Sequence, residues 1–229
     1  MTADSVSKKD ITRRAYLMFV MAVVGLAAVF FLPAGTLGYW HGWVYMGILL
    51  IPMVFVLRYL LRNSPHLLVR RMQMRERELT QKRVVGFSAI YFLAAFALPG
   101  FDYRWGWSTM PVWVVLLADL AVLAGYGVII RVFVENRYAS RTVEVATGQQ
   151  VISTGPYAVV RHPMYVGVLL MYLASPMALG SWWALLPAAL IVPILVVRIV
   201  NEEQVLERDL EGYREYKHKT KYRLLPGIW

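Results

Sequence analysis

The chain has 229 residues, of which 59% are hydrophobic and 17% charged, more apolar side chain than a soluble domain of this length buries. Its 24 Lys and Arg against 14 Asp and Glu give a net charge of +10, but these charges cluster between apolar runs, which points to a membrane rather than to nucleic acid. The absence of cysteine excludes disulfides, thiolate metal sites, a Cys nucleophile and sulfur-linked lipid.

Six apolar runs reach or approach the roughly 20 residues a helix needs to cross about 30 Å of hydrocarbon. They are Ala15–Leu32, Trp43–Leu61, Val84–Phe101, Pro111–Ile130, Met164–Leu179 and Trp182–Val200. The predicted fold is therefore an all-α integral membrane protein of about six transmembrane helices. Only Gly180 and Ser181 separate the last two runs, which predicts a tight antiparallel hairpin. Its first arm is short and holds Pro176, and its second holds Pro187 and Pro193, so kinks or a partial crossing are expected. Segments 1–14, 58–83, 131–163 and 198–229 hold 23 of the 24 basic residues, Arg104 being the other. Six spans place these segments on one side, and the positive-inside rule makes that side the cytoplasm, with both termini there. The opposite loops, 33–42, 102–110 and 180–181, are short and rich in Trp, Tyr and Gly, as in an interfacial aromatic belt. The first run is longer than a secretory h-region and lacks a clear cleavage site, so it reads as a retained anchor. No internal repeat of 20–50 residues is present, and the chain reads as a single membrane domain over 1–229.

The sequence holds no glycine-rich nucleotide fingerprint, no P-loop, no H-E-x-x-H and no G-x-S-x-G. Four His without Cys leave no metal-ligand cluster. The distinctive polar residues gather in the last third. From Gln149 the chain reads QQVISTGPYAVVRHPMYVG, and after the apolar hairpin RIVNEEQVLERDLEGYREYKHKTKYRLLPG. Arg161, His162, Pro163 and Tyr165 fall at the mouth of the fifth span. Pro163 suits a first helical turn whose free N–H groups could hold an anion, although an interfacial anchor with Arg on lipid phosphates fits the same residues. Arg198 and Glu202 are four apart and share a helix face, with Glu203 beside them, and an ordinary salt bridge is the plain alternative. The hairpin brings these two groups together at the membrane surface. Intramembrane Asp119 is expected to face the bundle interior, lining an acceptor path or making a structural hydrogen bond. Arg70–Arg83 reads as a solvated interfacial helix touching anionic lipid.

R-H-P-x-Y-x-G, then after the hairpin R-x-x-x-E-E, then Y-x-x-Y and Y-x-L-L-P, together resemble the isoprenylcysteine carboxyl methyltransferase family of integral membrane enzymes, over about residues 140–229. The R-H-P-x-Y portion is also similar to phospholipid N-methyltransferases, small-thiol methyltransferases and membrane sterol reductases. The resemblance implies N-terminal spans over 1–136 and a methyltransferase-like catalytic region over 137–229. It also implies S-adenosylmethionine as cofactor, in a cytoplasmic-side pocket without a Rossmann fold. By that resemblance His162, Pro163, Met164 and Tyr165 fall on the cofactor-binding H-P-x-Y, and Tyr157 on the tyrosine five residues before its His. Gln149, Gln150, Val151 and Ile152 occupy the cofactor-contacting segment upstream, with Gln149 and Gln150 standing where the eukaryotic enzymes have His and Thr. Arg198 falls on the substrate-contacting arginine and Glu202 on the cofactor-contacting acid.

The chemistry agrees with those roles. Tyr157 and Tyr165 can approach a sulfonium or an adenine, with cation–π attraction worth roughly 0.5–2 kcal/mol. Methyl transfer to a carboxylate needs no general base, and an arginine fork suits two carboxylate oxygens. An amine or thiol acceptor would require proton removal by Glu202, Glu203 or His162. The expectation is an S-adenosylmethionine-dependent membrane methyltransferase acting on an amphiphilic or lipid-like acceptor that enters from the bilayer, with membrane lipids as partners and neither metal nor nucleic acid. An NADPH-dependent membrane reductase and a non-catalytic membrane factor are the alternatives.

Overall fold

The structure is a computed structural model that describes residues 8–72, 79–139, 145–146 and 148–229. Among these residues all regular structure is helical. In chain order come α1 (Lys8–Ala34), α2 (Trp40–Asn63), α3 (Pro65–Met72), α4 (Leu79–Trp105) and α5 (Val112–Glu135). A 3-10 turn at Gly155–Ala158 then leads to α6 (Pro163–Ala178), α7 (Leu185–Ala189), α8 (Ile191–Asp209) and α9 (Tyr213–Lys219). Four helical segments are long and apolar enough to cross a membrane: Lys9–Ala34, Trp40–Asn63, Val112–Glu135 and Leu185–Asp209, the last being α7 and α8 together. The protein is an integral membrane protein on that basis. α4 covers the third predicted run with 27 residues, whereas α6 covers the fifth with 16, short of a full crossing by itself.

Burial follows the pattern of a lipid-facing bundle. Along α5, Val115, Ala118, Asp119, Val122 and Gly125 share the buried face, while Leu116, Leu117, Leu120 and Leu123 are exposed. Large aliphatic side chains turned outward in such a continuous stripe require apolar surroundings. Asp119 does face the interior, at 4% exposure. Neither of its carboxyl oxygens has a hydrogen-bond partner, so the structural hydrogen bond expected of it is not made.

α5 and α6 cross at a pair of glycines. A Cβ on Gly125 would lie 2.8 Å from the carbonyl oxygen of Gly167, and one on Gly167 would lie 2.7 Å from that of Gly125. The two backbones touch here, as small residues permit where hydrophobic exclusion from water no longer drives association. This contact sets the height at which α6 begins, and with it the position of every residue from His162 to Gly167.

The predicted two-residue hairpin turn is longer in the structure. Chain 179–184 forms the connection, and the second arm becomes helical only at Leu185 and breaks again at Leu190, between α7 and α8. Pro193 explains the break, since it has no N–H to donate to the carbonyl of Ala189 and its ring would crowd that carbonyl.

Polar contacts sort the loops into two ends. At one, buried Asp102 accepts from the Ser108 amide and hydroxyl, both at 2.7 Å, and from the Ser181 hydroxyl. The Tyr39 hydroxyl donates to the Leu179 carbonyl at 2.5 Å. The three aromatic loops predicted to share a side therefore meet. At the other end, Ile11 and Ala15 of α1 pack with Leu60 of α2 and with Leu67 and Leu68 of α3, and Arg71 of α3 reaches the end of α5 and the start of α6. Residues 73–78 of the predicted interfacial stretch Arg70–Arg83 lie outside the described residues.

Candidate functional site

The end of α5 and the 3-10 turn fix the first wall of a cleft. Asn136, just past α5, donates its side-chain amide to the Tyr157 hydroxyl at 2.8 Å, while its Oδ1 accepts from the Tyr138 N–H at 2.8 Å. The Thr154 hydroxyl bonds the Glu135 carboxylate. Gly155, at φ +56°, lies so close that a Cβ there would come within 2.7 Å of a Glu135 oxygen. From the other side the Tyr216 hydroxyl donates to the Tyr157 carbonyl at 2.8 Å. Tyr157 is thus held between α5 and α9 with its hydroxyl and its carbonyl both engaged.

The second wall is the start of α6 against the end of α8. The Tyr165 hydroxyl donates to Glu202 Oε2 at 2.6 Å and accepts from Arg198 Nε at 2.8 Å. One phenol therefore links the two α8 residues that sequence places four apart. Glu203, the next residue, points elsewhere and is buried. Its Oε1 lies 2.6 Å from Arg161 Nε and 3.3 Å from His162 Nε2, and its Oε2 lies 2.9 Å from Arg223 Nε. Arg161 also donates through Nη1 to the carbonyls of Thr220 at 2.8 Å and Lys221 at 2.7 Å.

These contacts correct two expectations. Arg161 is not an anchor on lipid phosphates, because its side chain is 4% exposed and saturated by Glu203 and the C-terminal segment. The amides at the start of α6 are also largely committed. His162 N–H donates to the Arg223 carbonyl at 3.0 Å, and Tyr165 N–H donates back to the His162 carbonyl at 3.0 Å. With Arg161 N–H on the Tyr222 carbonyl at 2.9 Å, segment 220–223 is strapped along residues 161–162.

Between the walls lies a cleft of about 120 Å³, open at its mouth. Gln149, Gln150, Val151, Ile152, Tyr157, His162, Pro163, Met164, Tyr165, Arg198 and Glu202 all line it. Every residue that the resemblance assigns to cofactor or acceptor is thus brought to one cavity, whereas Asp119 and Glu203 do not line it. Gln149 gives part of its side chain to local structure, its Oε1 accepting from the Ala146 N–H at 2.9 Å.

Sequence reasoning missed other lining residues: Asn136, Leu206, Leu210, Tyr213 and Tyr216 among them. The tyrosines had a signal, since Y-x-x-Y puts both on one face of a helical turn. Asn136 had none. Burial raises the pKa of the Tyr157, Tyr213 and Tyr216 phenols, that of Tyr216 to about 12, so all three remain neutral donors near pH 7. Tyr213 differs from the others in that its buried hydroxyl has no hydrogen-bond partner. A buried polar atom left unpaired costs about 1–3 kcal/mol, and here it lies in the lining of the cleft. Among the described residues no group of His, Cys, Asp and Glu is arranged to hold a metal.

Residues 113–211 match the phospholipid methyltransferase family, a stretch that begins in α5 and ends just beyond α8. A segment of the chain is also 34% identical over 92 residues to the Delta(14)-sterol reductase TM7SF2 of Mus musculus, covering 38% of this chain and 22% of that protein. The cleft is framed largely by the segment that resembles the phospholipid methyltransferases, which belong to the same membrane methyltransferase superfamily as the isoprenylcysteine carboxyl methyltransferases.

Proposed function

We propose that the protein transfers the methyl group of S-adenosylmethionine to an amphiphilic, lipid-like acceptor whose reacting group is a carboxylate, as in isoprenylcysteine carboxyl methylation. The observation that carries this reading is the convergence of Tyr157, Tyr165, Arg198 and Glu202 on one cleft at the end of an apolar bundle. The cleft fits the cofactor on its own terms. Neutral tyrosine rings face its interior, an acid lies beside them, and the Tyr213 hydroxyl is a buried donor in need of an acceptor. S-adenosylmethionine, when bound, supplies an electrophilic methyl on a sulfonium. Tyr157 and Tyr165 would hold the cationic and aromatic parts, Glu202 would accept from the ammonium or the ribose, and Gln149 to Ile152 would close the opposite side. Arg198, on the half of α8 nearer the apolar bundle, offers its guanidinium to the acceptor carboxylate. Because a carboxylate is already a nucleophile, no residue has to remove a proton, and catalysis rests on alignment. In the bilayer we place the cleft on the cytoplasmic side, with both chain ends, because the basic segments gather at that end.

Two other readings rest on specific similarities. The phospholipid methyltransferase match favours an amine acceptor, for which Glu202 or His162, both in the cleft lining, would take the proton. The partial likeness to a sterol reductase favours hydride chemistry with NADPH. Thermal unfolding of the purified protein separates the last of these, because a ligand of the folded state raises the midpoint. S-adenosylhomocysteine is expected to raise it and NADPH to leave it unchanged, and the reverse result would defeat the methyltransferase reading. Native membranes incubated with methyl-labelled cofactor then discriminate the acceptor. Label released by mild base marks an ester, whereas base-stable label marks an N- or S-methyl product and overturns the carboxylate assignment.

A further inference from the structure

Arg71 lies in α3, far in sequence from the cleft and outside the stretch that matches the methyltransferase family. Its guanidinium nevertheless reaches both lips of the cleft from behind. Nη1 donates to the carbonyl oxygen of Ala139 at 3.0 Å and lies 3.9 Å from the sulfur of Met164. Cζ stands 4.4 Å from the centroid of the Phe133 ring. Ala139 belongs to the wall that follows α5, Met164 to the first turn of α6, and both line the cleft. α3 itself is seated independently of the cleft, through Leu67 and Leu68 packed on α1 and α2.

The geometry points to Arg71 as a positioning residue that fixes the separation of the two lips and so the width of the cleft. A planar cation can do this where an apolar residue cannot. It stacks on Phe133 while its edge binds the carbonyl and the thioether of two different chain segments. Arg71 thereby ties the wall formed by Ala139 to the start of α6, and a residue of the N-terminal half of the protein acquires a part in shaping the site.

The test uses the cysteine-free chain, with spin labels on Arg137→Cys and Gln204→Cys, exposed positions on the two walls that do not line the cleft. In Arg71→Met, which keeps the apolar stem and loses the donors, the inter-label distance distribution is expected to broaden relative to the parent. Arg71→Lys is expected to recover part of the narrowing. Leu67→Ala, which loosens α3 without touching the lips, is expected to lower the thermal midpoint and leave the distribution as it was. Superimposable distributions for Arg71→Met and its parent would overturn the proposal, and so would equal broadening by Leu67→Ala. A second arm rests on the methyltransferase reading. The dissociation constant of S-adenosylhomocysteine should rise about tenfold in Arg71→Met, as for loss of one well-placed hydrogen bond, and a change under about twofold would count against the proposal. If the parent protein does not bind S-adenosylhomocysteine, the methyltransferase reading fails, and the label distances still decide the role of Arg71.

Discussion

Glu202 and Glu203 are adjacent in sequence and have different work. Glu202 is half-buried at the cleft and meets the Tyr165 hydroxyl, whereas Glu203 is sealed beneath it against Arg161, His162 and Arg223. Removing one partner from such a buried cluster leaves uncompensated charge and typically costs about 3–5 kcal/mol. Glu203→Ala is therefore expected to lower the thermal midpoint steeply in detergent and to lose cofactor binding only as the fold is lost. Glu202→Gln should keep the fold and weaken S-adenosylhomocysteine binding by about tenfold, the scale of one charge-assisted hydrogen bond. Arg198→Lys should bind S-adenosylhomocysteine as the parent does and turn over about tenfold to a hundredfold more slowly, because Lys keeps the charge without the planar fork that aligns an acceptor. Affinity and turnover measured on the same preparations check all three. Equal and small effects for Glu202→Gln and Arg198→Lys would reduce the pair to a surface contact.

At the scale of the element, the glycine crossing of α5 and α6 leaves no room for a side chain. A Cβ on Gly167 meets the Gly125 carbonyl at 2.7 Å and Ile129 Cγ1 at 2.9 Å, and the carbonyl is backbone that cannot step aside. Gly167→Val should force the helices apart, at about 1–3 kcal/mol for overpacking, and displace the H-P-x-Y residues with the helix that carries them. S-adenosylhomocysteine affinity is expected to fall even in the folded fraction, which equilibrium binding on the monodisperse protein measures. Gly127, on the facing helix α5, has open space around its Cβ position, and Gly127→Val is the matched control expected to bind normally.

The helices themselves were legible in the apolar runs, and the break before α8 in Pro193, because both follow from local chain chemistry. The assembly of the site was legible only where side chains leave a trace. Basic residues marked which loops share an end, and the hairpin brought Tyr165 to Arg198 and Glu202. Arg161 was misread because an arginine near a membrane surface looks alike whether it meets lipid phosphate or a buried carboxylate, and only burial tells them apart. The strap over residues 161–162 could not be seen, since main-chain hydrogen bonds have no residue signature. For the molecule as a whole, sidedness is open to direct measurement in a chain without cysteine. Leu37→Cys and Thr109→Cys sit at the aromatic-loop end and Lys221→Cys at the cleft end, all exposed. An impermeant thiol reagent is expected to label the first two from the face opposite the cytoplasm and the third only from the cytoplasmic face. The opposite pattern would turn the cleft outward.

The strap also imposes an order in time. Arg161 and His162 find their carbonyl partners on Thr220, Lys221, Tyr222 and Arg223, up to 61 positions farther along the chain. At about 5–20 residues per second of synthesis, those partners arrive roughly 3–12 s after the residues they hold. Once α6 has been made, for most of that interval, α5 and α6 can already cross at their glycines in the bilayer, while Arg161 lacks the carbonyls that complete its shell. The bundle can thus assemble before its cleft is finished, and the cleft takes its final shape only when segment 220–223 has been made and folded back.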